Sequence, residues 1–147
     1  MVLICRGIER DWLYDHRVAV YTAKSLGPAN LIEWSKAVAD SLDQWPEDAD
    51  YFAIHDMSNS GMSMQLLLLT GNHILDPWLT PTSQQRFREW MKAHPAQRVR
   101  LAVVVSSALS GQMPMRRGRS STSDLEQVES QMFDNLEAAH EWVSSLL

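Results

Sequence analysis

The residues of this chain best placed to do chemistry lie together in His55-Asp56-Met57-Ser58-Asn59-Ser60-Gly61, where the apolar run Tyr51-Phe52-Ala53-Ile54 gives way to small polar side chains. Ser60, with Ser58 beside it, is a candidate phosphoacceptor, because a dianion at a helix N-terminus is held by free N–H groups and the helix dipole. The same hydroxyls equally suit the capping of backbone groups in a tight turn. His55 and Asp56 offer a general base with a carboxylate to tune it, but neighbours along a strand point to opposite faces, which keeps them apart. Gly61-Met62-Ser63-Met64-Gln65 has the outline of a nucleophile elbow without its second glycine. Asp124 and His140 complete the chain order of a serine hydrolase triad, a minor reading, since His140 falls on an apolar helical stripe as a core histidine does. His16, His73 and His94 show no metal-ligand spacing, and Cys5 has neither Cys nor His at such spacing. We therefore expect no enzyme activity, no metal and no cofactor.

A second candidate site is apolar. Met57, Met62, Met64, Leu67 (within Leu66 to Leu69) and Trp78 have the composition of an adaptable hydrophobic pocket, which would take an apolar or amphipathic small molecule such as a lipid. Core packing accounts for the same residues. Arg116, Arg117 and Arg119 form the sole basic cluster, suited to an anionic head group, an acidic partner or simply solvent. The net charge of −5 argues against general nucleic-acid binding, where Lys and Arg supply most of the affinity by neutralising phosphates.

These residues must be positioned by ordinary elements. A chain of 147 residues, 45% hydrophobic and 21% charged, fits one globular domain. No apolar run approaches the roughly 20 residues that span a bilayer, and Met1 to Cys5 is too short for a signal-peptide core, so a cytoplasmic location is expected. Val99 to Val105, a β-branched run with almost no polar break, reads as a central parallel strand, and Tyr51 to Ile54 as a second. Trp12 to Thr22 reads as an antiparallel hairpin with a turn at Asp15-His16-Arg17, Val2 to Cys5 extending its first strand. Leu31, Trp34, Val38, Leu42 and Trp45 fall on one side of a helix, with Asn30 as its N-cap and Pro46 as its stop. Glu47 to Asp50 reads as a solvated acidic turn. Thr80-Pro81 opens another helix, with Phe87, Trp90, Met91 and His94 on one face. Val128 to Phe133 suits an edge strand. Asp134 and Glu137 then form a capping box for a last helix, whose stripe is Leu136, Ala139, His140, Val143, Leu146 and Leu147. The expected architecture is an α/β domain with a mixed sheet of about five strands and helices packed on it. An exposed edge at either end of that sheet would allow a homodimer.

Ala53-Ile54-His55-Asp56-Met57-Ser58, Arg98 to Val105 and Met132 to Val143, in this order of elements, resemble the STAS or SpoIIAA-like domains, which include the bacterial anti-sigma-factor antagonists. The resemblance covers most of the chain. It implies a non-enzymatic regulatory module that meets a protein partner or small ligand through the loop after Tyr51 to Asp56, with Asp56, Met57, Asn59 and Gly61 at the contact. In those antagonists a serine in an Asp-Ser-x-Gly context is phosphorylated to break partner binding. The corresponding place here reads Asn59-Ser60-Gly61.

Overall fold

A computed structural model describes residues 2–5, 7–24, 28–46, 48–58, 81–106 and 128–147. Six strands form one sheet in chain order: β1 (Val2–Cys5), β2 (Ile8–Leu13), β3 (Val18–Ala23), β4 (Tyr51–Asp56), β5 (Val99–Val104) and β6 (Val128–Phe133). β1 to β3 are antiparallel neighbours and β3 to β6 run parallel, so the sheet is mixed and the protein is α/β. Three helices are described, α1 (Pro28–Asp43), α2 (Pro81–Ala93) and α3 (Leu136–Leu146). None of them is long and apolar enough to cross a membrane.

The period-2 alternation of the strands divides the core in two. Ala19, Tyr21, Tyr51, Ala53, Val99, Leu101 and Val103 pack against Trp34, Val38 and Leu42 of α1 and Phe87 and Met91 of α2. Val18, Val20, Phe52, Ile54, Ala102 and Val104 face the other way, onto Ala139 and Val143 of α3. The β-branched and aromatic residues of β4 and β5 thus fill both faces, which is why those strands carry almost no polar break.

Several sequence expectations need correction. Val2 to Cys5 does not extend the hairpin's first strand. The chain reverses at Gly7, with φ of 94°, a value open to glycine at no steric cost, and β1 folds back antiparallel on β2. Asn30 lies inside the first turn of α1, which starts at Pro28, so it is not the cap. Asn135, not Asp134, caps α3. Its extended backbone (φ −150°) lets Oδ1 accept from the Ala138 N–H at 2.8 Å. The stripe of α3 is narrower than its sequence suggests, with Ala139 and Val143 buried, Trp142 and His140 half-buried, and Leu136, Leu146 and Leu147 exposed.

The end of the sheet where the parallel strands begin is closed by polar contacts. The acidic turn is tied in as well as solvated: Asp50 Oδ1 accepts from the Arg98 N–H at 2.9 Å, and its carbonyl accepts from Trp45 Nε1 at 3.1 Å. Gln97 Nε2 donates to the carbonyls of Pro46, at 3.2 Å, and Ala49. On the surface Arg86 of α2 reaches Asp40 at 2.8 Å and Asp43 at 2.6 Å of α1, joining the two helices.

Replacing Asn135 with Ala should cost about 1 kcal/mol of stability, the usual value of an N-cap, whereas Asp134→Ala should stay within about 0.5 kcal/mol. Urea denaturation of the two variants separates these outcomes, and equal losses would mean that both residues cap.

Candidate functional site

The carboxyl end of β4 lies between β3 and β5, and its last two residues face opposite sides of the sheet. His55 is in register with Tyr21 and Val103, Asp56 with Thr22 and Val104. The strand therefore runs two residues beyond the apolar stretch.

His55 points under α1. Its ring stacks on Tyr21 at 5.3 Å with planes 6° apart and meets Trp34 edge-on at 5.2 Å. It is fully buried, and neither ring nitrogen has a hydrogen-bond partner among the described residues. Desolvation alone lowers its pKa from 6.5 to about 3, so the ring is neutral at physiological pH. Aromatic contacts suit a neutral imidazole, whereas a cation there would meet no carboxylate among the described residues.

Asp56 lies on the face that carries α3 and is 8% exposed. Its Oδ1 accepts from the Ser58 N–H at 3.1 Å and from Ser58 Oγ at 2.5 Å, closing a local turn through a charge-assisted bond. Between them Met57 is buried in the core, and its N–H continues the ladder by donating to the Val104 carbonyl at 2.8 Å. One row across the sheet, Thr22, Asp56, Val104 and Phe133, leads from this turn to Asp134 and the Asn135 cap of α3.

The structure thus brings Asp56, Met57 and Ser58 into one fixed turn and separates His55 from Asp56, as strand alternation requires. Asn59, Ser60, Gly61, Met62, Ser63, Met64, Leu67, Trp78, the arginines 116, 117 and 119, and Asp124 lie outside the described residues. The phosphoacceptor at Ser60, the apolar pocket and the hydrolase triad therefore rest on sequence alone. Among the described residues no group of three or more His, Cys, Asp and Glu is placed to hold a metal ion.

Two features escaped the sequence reading. One is the Tyr21-His55-Trp34 stack, which joins three elements and leaves no local signal. The other is Arg10, whose place between Ile8 and Trp12 on the inward face of β2 was legible from the period of two.

No protein-family model matches this chain, and neither does any curated protein or any solved structure.

The buried imidazole sets a pH dependence with a definite sign. An unfolded chain takes up a proton on His55 as pH falls through 6.5, while the folded protein does not until about pH 3. The contribution of His55 to stability is therefore complete above pH 6.5 and is lost on acidification between those values, at up to about 1.4 kcal/mol per pH unit. In urea denaturation at pH 7.5, 6 and 5, the wild type should lose ground against His55→Leu as pH falls. A constant difference would mean that His55 finds a proton acceptor or water in the folded state.

Proposed function

We propose that the chain is a non-enzymatic regulatory module that meets a protein partner through the turn at the carboxyl end of β4. One observation carries this reading: Asp56 clasps Ser58 twice while Met57 is anchored in the core, so the polar turn is set in place before any partner arrives. Binding to a preorganised turn avoids much of the ordering cost that a floppy loop incurs. Partners and ligands of open α/β sheets meet the carboxyl ends of the strands, which is where this turn sits. The mixed sheet with helices on it agrees with what the resemblance to STAS or SpoIIAA-like domains implies, and a cytoplasmic setting belongs to the same reading.

Ser58 is the described member of the phosphoacceptor pair. A phosphate on Oγ would remove its hydrogen bond to Asp56 and set a dianion against that carboxylate, which would open the clasp. Modification of Ser58 or Ser60 would then release the partner.

A photo-crosslinking residue in place of Asn59, a substitution that keeps Asp56 and Ser58, expressed in the native host, should give a discrete protein adduct. The same residue at exposed Lys36 should not. Asp56→Ala should weaken that adduct about tenfold while leaving thermal stability within about 2 kcal/mol, the usual range for losing one partly buried hydrogen-bonded group. Absence of any adduct from position 59, or an undiminished one in Asp56→Ala, would overturn the proposal.

A further inference from the structure

On the face of the sheet under α1, Arg10 has no counter-ion among the described residues. Arg10 lies opposite Tyr21 in the β2–β3 ladder, with its guanidinium carbon 5.4 Å from the centre of the Trp12 ring. Its Nε is buried and has no hydrogen-bond partner. Around it Tyr21, Tyr51 and Ser41 are buried and already ordered. Ser41 Oγ donates to the Val38 carbonyl at 2.6 Å, so the contact of 3.3 Å with Tyr51 is donated by the phenol, and the Tyr21 hydroxyl donates to the Ala37 carbonyl at 3.4 Å.

Nothing among the described residues balances this charge. Burial raises the pKa of both Tyr21 and Tyr51, so neither is a phenolate at neutral pH. Glu9 and Asp11 flank Arg10 in sequence but alternate onto the opposite face of β2, and Lys24 holds Glu9 at 3.5 Å. Arg86 binds the carboxylate of Asp40, on α1, at 2.8 Å. A guanidinium is always charged, and a sequestered N–H with no acceptor is costly, so this position favours an acceptor that brings negative charge.

We propose that Arg10 is the anchor of a small-oxyanion site, taking a carboxylate or phosphate oxygen pair on Nε and a neighbouring Nη. The half-buried Trp12 ring beside the guanidinium forms one wall, and Tyr21, directly opposite Arg10 in the ladder, forms another. Side-on bidentate contact is the geometry for which Arg, and not Lys, is suited. The site lies on the face opposite Asp56, so it stands or falls independently of the partner-binding turn.

Isothermal titration and thermal shift with sodium phosphate and with sodium benzoate, each against chloride at equal ionic strength, test it. At least one should bind saturably with one site per chain, raising Tm with concentration. Binding should weaken at least tenfold in Arg10→Lys and vanish in Arg10→Met, while Arg98→Met, which removes an exposed arginine, leaves it unchanged. Binding of phosphate alone or benzoate alone assigns the source of the oxyanion. No saturable binding of either, or equal affinity in wild type and Arg10→Lys, would overturn the site. The lysine variant keeps the charge, so the test holds even where Arg10→Met does not fold.

Discussion

Everything in this molecule depends on β4 and β5 being covered on both faces at once. Every side chain of β4 from Tyr51 to Asp56 is buried, and only Arg100 of β5 keeps partial access to solvent. Alternation then decides the surroundings of each residue without further choice: odd positions go to α1 and α2, even positions to α3. A polar residue on such a strand must find partners within reach or stay neutral, because desolvation is not optional there. His55 and Asp56, adjacent in sequence, take the two different ways out. Asp56 sits at the strand's end, where the chain can bend back and supply two donors from Ser58. His55 is one residue further in, has no such loop, and is accommodated as a neutral aromatic ring.

The parts of this architecture written in local composition were legible. Val99 to Val105 and Tyr51 to Ile54 announced themselves by β-branched and aromatic content, and the Thr80-Pro81 start of α2 by the fixed φ of proline. What composition could not give was where pairing stops. The apolar run of β4 stops at Ile54, and what carries the strand to Asp56, the end that the motif reading gave it, is that Thr22 and Val104 are there to pair with it. The separate β1 was invisible for the reverse reason: Val2 to Cys5 looks like more of the same strand until Gly7 takes a positive φ. The cap of α3 was off by one because Asp134 and Asn135 are both good caps, and backbone geometry, not residue type, chose between them. The candidate site was half legible. Its place at the β4 terminus followed from the switch to small polar residues, but the Asp56–Ser58 clasp needs atomic positions.

Polar groups under α1 follow a different logic from those at the strand end. Ala37 and Ser41 are small, so the helix approaches the sheet closely enough for the phenols of Tyr21 and Tyr51 to reach its backbone and hydroxyl. A larger residue at either position would hold the helix off and strand both phenols, each then lacking a partner in a dry interior. The network therefore ties the identity of α1 residues to those of β3 and β4. Hydrophobic packing alone, tolerant of volume-conserving exchange, would not impose that link.

The two ends of the sheet are built unlike each other, and the difference bears on where the protein can act. At the amino ends, Pro46 to Asp50 and His94 to Arg98 are short, bonded to one another through Asp50 and Gln97, and backed by the Trp12, Trp45 and Tyr51 rings at 4.5 to 5.7 Å. The β2–β3 turn at this end is also fixed in an unusual form. Tyr14, Asp15 and His16 all have positive φ (53°, 55° and 65°), while Arg17 N–H bonds to the Leu13 and Tyr14 carbonyls. Three consecutive left-handed residues cost about 1 to 2 kcal/mol each, so the flanking ladder must hold this turn in shape. At the carboxyl ends of β4 and β5 the described chain instead carries the ladder one residue further, Met57 N–H donating to the Val104 carbonyl at 2.8 Å and Val105 N–H to the Phe133 carbonyl at 2.9 Å, before the Asp56–Ser58 turn. Contacts among the turns hold the amino ends, whereas a single carboxylate taking two donors from Ser58 shapes the carboxyl end of β4, so the geometry there hangs on one side chain and not on a network.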